Sequence, residues 1–98
     1  MGKIRFSELV GKTILIGLTY YTAENELIER KQFWGTVVES NKSRILVRLN
    51  NGEMFNLPPD LSAIKKAPLG EYRLHSTGEV VVNPDYLTTW NLTRPKEQ

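Results

Sequence analysis

The side chains able to do acid–base chemistry are few and scattered. His75 is the single histidine, and cysteine is absent. Without cysteine, disulfides, zinc thiolate sites and thiol nucleophiles are excluded. A histidine that moves a proton needs a group to exchange it with. Pairing the strands around a Ser76-Thr77-Gly78 loop puts Glu79 opposite His75 at an exposed turn tip. That arrangement is a solvated cross-strand pair with no nucleophile beside it. The remaining carboxylates, among them Glu24, Glu29, Glu39, Asp60 and Asp85, are spread along the chain. A carboxylate pair that cleaves a glycosidic bond by retention must be held about 5 Å apart around a cleft, and a small β domain seldom encloses one. There is no phosphate loop and no dinucleotide fingerprint. The expectation is a protein that is not an enzyme, with no catalytic residue, no cofactor and no metal.

Aromatic residues are the more informative class. Tyr20-Tyr21 precede the polar run "AENELIE" (23–29), and Phe33-Trp34 follow it. On strands, successive side chains alternate between faces. Tyr20 and Phe33 can therefore point inward while Tyr21 and Trp34 point outward. The run between them reads as a long solvated loop or a turn of helix.

These residues have to be positioned by strands. "KTILIGLTYYT" (12–22) alternates, with Ile14, Ile16, Leu18 and Tyr20 on one face, and is rich in β-branched and aromatic residues. "KQFWGTVVES" (31–40) is a second strand whose internal Gly35 predicts a bulge or sharp bend. "RILVRLNNGEMFNLPP" (44–59) is a hairpin with two candidate loops. A two-residue loop at Asn51-Gly52 mixes polar and apolar residues on both faces and leaves the register poorly specified. A three-residue loop, Asn50-Asn51-Gly52, pairs Leu49 with Glu53, Val47 with Phe55 and Ile45 with Leu57. It needs Gly52 in the left-handed region, and it gathers a clean apolar face. The same rule applied to "EYRLHSTGEVVV" pairs Leu74 with Val80 and Tyr72 with Val82. The predicted core is Ile14, Ile16, Leu18, Val37, Ile45, Val47, Leu49, Phe55, Leu57, Leu74 and Val82.

Arg44, Leu46, Arg48, Met54 and Asn56 are then left on the outer face of the first hairpin. Exposed Leu and Met beside Arg and Trp have the composition of interface hot spots. The candidate partner-binding residues are Tyr21, Trp34, Arg44, Leu46, Arg48 and Met54. The partner expected is another protein or, because an edge strand can pair with its own copy, a second copy of the chain.

Short helical turns complete the elements. "FSELVG" can form one turn capped by Ser7 and ended by Gly11. "PPDLSAIKKA" (58–67) can form a short helix opened by Pro59-Asp60 and closed by Lys65-Lys66. "NPDYLTTWNL" gives a last strand, and "TRPKEQ" reads as a frayed tail. The 98 residues make one domain, with ordered structure expected over about 5–92 and a tail over 93–98.

Thirteen basic residues against eleven acidic ones leave a net charge of +2. That surplus permits nucleic acid without indicating it. No run approaches the ~18 apolar residues needed to span a bilayer. Glu8 and Lys12 interrupt any signal-peptide core, and Phe6 stands where an N-myristoylation motif wants Ser or Thr. A soluble cytoplasmic protein is expected.

"FSELVGK", "TILIGL", "FWGTVV" and "RILVRLNNGEMFNLP", followed by a one-turn helix, resemble in order and spacing the elements of SH3-like barrels, and within them Sm-like domains. The resemblance covers about residues 5–67. It implies an all-β, small SH3-like barrel with short N-terminal and internal helical turns, to which the second hairpin is an extra C-terminal addition. It also implies RNA binding as the alternative to protein binding. The Arg-Gly or Lys-His pair that Sm-like domains carry after the fourth strand is absent; Lys65 and Lys66 stand near that place. The stretch from Leu57 to Trp90 resembles small uncharacterised bacterial proteins, which implies no activity.

Overall fold

The computed structural model describes residues 4–75 and 77–94. A four-residue helix α1 (Phe6–Leu9) precedes eight strands: β1 (Thr13–Tyr21), β2 (Leu27–Ser40), β3 (Ile45–Leu49), β4 (Met54–Leu57), β5 (Ile64–Lys66), β6 (Glu71–Arg73), β7 (Val80–Val82) and β8 (Tyr86–Thr93). Six of them form one mixed sheet in the order β4-β3-β2-β1-β8-β5, and β6-β7 form a separate two-stranded ribbon.

Alternation along each strand builds the core. Ile14, Ile16 and Leu18 of β1 join Val37, Ile45, Val47, Leu49, Leu57, Ile64 and Tyr86 from the other five strands, and Leu9 of α1. Phe33 and Phe55 pack against this cluster and meet edge to face, with ring centroids 5.1 Å apart. With so short a helix beside it, a sheet whose every strand feeds one cluster buries that face by curling over itself. The edges β4 and β5 are not hydrogen-bonded to each other, so the sheet is open rather than closed into a barrel.

Curvature comes from β1 and β2. Register shifts fall between Tyr20 and Tyr21 and between Val37 and Glu39, and each bends its strand. Gly35 has a different role. A Cβ built there would lie 2.3 Å from the Arg48 carbonyl oxygen and 2.8 Å from Val47 Cγ1. Only glycine lets β3 cross this close to β2.

The first hairpin has the predicted three-residue loop. Leu49 N–H donates to the Glu53 carbonyl at 2.8 Å, Val47 pairs with Phe55, Ile45 pairs with Leu57, and Gly52 has φ +93°. The second hairpin differs from expectation. Its closing pair is Leu74 and Glu79, joined by an N–H···O bond of 2.8 Å, where the three-residue loop required Leu74 opposite Val80. Tyr72 then pairs with Val81 rather than Val82. A one-residue slip turns every side chain over: Val81 is buried and Val82 is 61% exposed. Gly78 keeps the expected positive φ, +76°. The other predicted core positions are buried, Phe55 only partly.

Three more expectations are corrected. The run 23–29 is neither a long loop nor a helix. Thr22 Oγ1 accepts from the N–H groups of Glu24 and Glu26, Asn25 takes φ +66°, and β2 starts at Leu27. The helical part of the segment 58–67 is a single 3₁₀ turn, Leu61–Ala63, capped by Asp60 accepting from Ser62 N–H. Ile64 goes into the core opposite Thr88, so Lys65 and Lys66 lie on strand β5 and not at a helix end. A helix this short cannot compete with the ladder and burial gained by pairing to β8. Finally, α1 starts after Arg5 without any side-chain cap, so Ser7 does not cap it; Gly11, at φ +84°, does turn the chain out of the helix.

β8 lies parallel to β1, from Ile14 opposite Tyr86 to Tyr21 opposite Thr93. Asp85 sets this register. One carboxylate oxygen accepts from Thr13 N–H at 2.9 Å and from its hydroxyl at 3.1 Å, and Asp85 N–H donates to Thr13 Oγ1 at 3.0 Å. The strand extends past the expected end of order. Arg94 N–H donates to the Tyr21 carbonyl at 2.8 Å, and the Arg94 guanidinium meets Glu29 at 2.8 Å and lies over Tyr20. Residues 95–98 of the expected tail lie outside the described residues.

Candidate binding face

Leu46, Arg48, Met54 and Asn56 share the solvent side of β3 and β4, because Ile45, Val47, Leu49 and Leu57 occupy the core side. Arg48 is directly opposite Met54, and Leu46 is opposite Asn56. Met54 is 49% exposed, Arg48 is exposed, and Leu46 is half-buried. Arg48 has no hydrogen-bond or ion-pair partner among the described residues. On β2 the face continues through Thr36, opposite Arg48, to Trp34 two residues on.

Arg44 is bound up differently. Its Nη2 lies 2.8 Å from Glu39 Oε1 and its Nε 3.0 Å from Glu39 Oε2, a bidentate pair across the β2–β3 turn. The hydrogen bond from Arg44 and a second from Asn41 hold the Glu39 carboxyl below the ordinary carboxylate value, and the same bond raises the Arg44 guanidinium. Arg44 is thus committed to its own turn, while Arg48 is available.

Trp34 is half-buried, and its indole N–H donates to Glu79 Oε2 at 2.9 Å. Asn50 Nδ2 reaches the same carboxylate at 3.2 Å. The β6-β7 ribbon therefore leans on the outer face of the sheet here. His75 does not pair with Glu79; its backbone N–H donates to Gln32 Oε1 at 2.7 Å. Tyr21 shares the outward parity, but Leu15 is the β1 residue level with Trp34. Six residue steps along the strand take Leu15 to Tyr21, about 20 Å. Trp34, Leu46, Arg48 and Met54 come together, and Tyr21 does not join them.

The backbone of β4 adds a feature that side-chain patterns do not show. β4 is an outer strand of the sheet. Hydrogen-bonded pairs alternate along an antiparallel ladder, beginning here at Leu49 with Glu53. The N–H and C=O groups of Met54 and Asn56 therefore point away from β3, along a free edge four residues long that ends before Pro58-Pro59. Glu79 and Asn50 were not legible as part of this region, since their meeting with Trp34 depends on where the ribbon docks.

Comparison with protein-family models, curated proteins and solved structures finds no match for this chain. No helix among the described residues is long and apolar enough to cross a membrane.

Proposed function

We propose that the chain is a non-enzymatic binding module of the SH3-like small-barrel kind that takes an extended segment of a protein partner as an added strand beside β4. The two long strands β1 and β2, bent by register shifts, and a 3₁₀ turn before β5 support the small-barrel reading. The observation that carries the binding mode is the free edge. Met54 and Asn56 present backbone donors and acceptors outward, while Met54 and the unpaired Arg48 stand on the adjoining face. Strand addition draws affinity from main-chain hydrogen bonds and specificity from the side chains beside them. Arg48 favours a segment that carries a carboxylate near its middle. A second copy of this chain is a poorer occupant, because a short edge followed by two prolines blunts pairing between like strands.

Panning a random peptide library against the whole protein tests this. Selected peptides are expected to be extended and acidic, and to lose at least about tenfold in affinity toward Arg48→Glu and Met54→Asp. Peptides that bind both variants as well as wild type would refute the assignment, and so would a preference for single-stranded RNA that the same variants leave unaltered.

A further inference from the structure

β1 and β2 each carry a glycine inside a strand, and only one of them is explained by the protein's own packing. Gly35 is required by the Arg48 backbone. Gly17 has no positive φ, and a Cβ there would come no nearer to another atom than 3.9 Å, to Thr89. A glycine inside a strand weakens it. The register runs through Gly17 without a shift on both sides, and no neighbouring atom needs the space, so the position suits close approach of a ligand to the backbone.

Gly17 lies on the floor of a cleft of about 480 Å³, open to solvent, between the outer face of the sheet and His75. Gln32 and Thr89 flank Gly17 in register on the two neighbouring strands, and Thr19 and Arg30 form the next paired row. His75 closes the side formed by the ribbon, held there by its N–H bond to Gln32 Oε1. That bond uses the acceptor of Gln32 and leaves its amide NH₂ to donate. The hydroxyls of Thr19 and Thr89 and the guanidinium of Arg30 have no partner among the described residues. Among the described residues no carboxylate lines the cleft. The unused groups are predominantly donors, and one is a permanent cation.

We propose that this cleft binds a phosphate group over Gly17, carried by a molecule of about mononucleotide size. A guanidinium with hydroxyl and amide donors suits a tetrahedral oxyanion. The cleft exceeds what a bare phosphate fills and falls within the usual range of small-molecule sites. It is separate from the β3-β4 face and does not rest on the reading of that face. The phosphate could belong to a free nucleotide or to a nucleic-acid strand, and the experiment distinguishes the two.

The test is an amide-resolved NMR titration of the full chain with inorganic phosphate, AMP and a single-stranded oligoribonucleotide. AMP is expected to shift Gly17, Thr19, Gln32 and Thr89 saturably, with inorganic phosphate moving the same residues more weakly. Gly17→Val should melt no lower than wild type, because valine suits a strand and a Cβ there meets nothing closer than 3.9 Å, yet lose the AMP response at least about tenfold. Arg30→Gln, on an exposed site, should weaken AMP about tenfold without altering the fold. An oligonucleotide that binds the same residues more tightly than AMP, with steep loss in salt, assigns the phosphate to a strand; AMP binding at least as tight assigns it to a free nucleotide. No saturable shift of these residues by any of the three probes up to about 10 mM, or undiminished binding by both variants, overturns the proposal.

Discussion

The same substitution at two glycines should have opposite effects. In Gly35→Ala the new methyl meets the Arg48 carbonyl oxygen at 2.3 Å and its carbon at 2.9 Å. Both atoms are backbone, so no rotamer change relieves the contact. β3 must withdraw from β2 by roughly 1 Å, given that nonbonded carbon contacts are comfortable near 3.5 Å. That loosens the β2–β3 ladder bonds on either side of the contact, among them the one from Asn50 N–H to the Trp34 carbonyl at 3.1 Å, at a cost of about 1 kcal/mol in all. It also disturbs the packing of Val47, at a typical overpacking cost of about 1–3 kcal/mol. The sum is about 2–4 kcal/mol, or a melting temperature lower by roughly 10–25 °C for a chain of this size. In Gly17→Ala the methyl enters free space, 3.9 Å from Thr89. Removing a strand glycine should then gain up to about 1 kcal/mol. Urea unfolding of the two variants beside wild type measures both, with unchanged m-values confirming that the denatured state is comparable. A cost below about 1 kcal/mol for Gly35→Ala, or equal losses at the two sites, would refute the description of the β2–β3 crossing.

Val47→Ala should cost about 1–3 kcal/mol, since Val47 is fully buried, and Leu46→Ala clearly less, since Leu46 is half-buried; chemical denaturation should rank them in that order. Gly52→Val should destabilise by more than about 1 kcal/mol, because a β-branched side chain is strained at φ +93°, and thermal melting reads the loss. Burial, then the charges of Glu8 and Asp85, raise the Tyr86 phenol above its ordinary value of 10.0. The folded state therefore holds that proton more tightly than the unfolded chain. This stabilisation is complete below the ordinary value and is lost as pH rises through the folded one. Stability should fall with alkaline pH more steeply in wild type than in Tyr86→Phe, and unfolding midpoints taken through that range would show it.

What could be read from the sequence follows the range of the forces involved. The first hairpin was legible because three local facts agree: a glycine able to take positive φ, a three-residue loop, and alternation that leaves one apolar face. The second hairpin offered the same glycine, but "VVV" is apolar at every position. Alternation could not choose between Val81 and Val82, and docking of the ribbon onto the sheet decided. The run "AENELIE" is polar because it forms a hairpin tip and an exposed strand start, a pattern that composition alone does not separate from a loop. β5 is three residues long, and its existence depends on β8, whose partners lie 20 to 24 residues further along. The site was legible in the same measure. Register placed Leu46, Arg48 and Met54 outward together, and the sharing of Trp34 with Glu79 was not foreseeable without the ribbon's position. Arg44 looked like a free cation until its turn brought Glu39 to it.

The central claim is that β4 is an open edge to which an extended segment adds. Amide hydrogen exchange at Met54 and Asn56, measured with and without a selected peptide, tests it most directly. Both amides should exchange rapidly in the free protein, faster than Phe55 and Leu57, and become protected when the peptide is bound. Slow exchange at Met54 and Asn56 in the free protein, or a bound peptide that leaves them unprotected, would contradict the account.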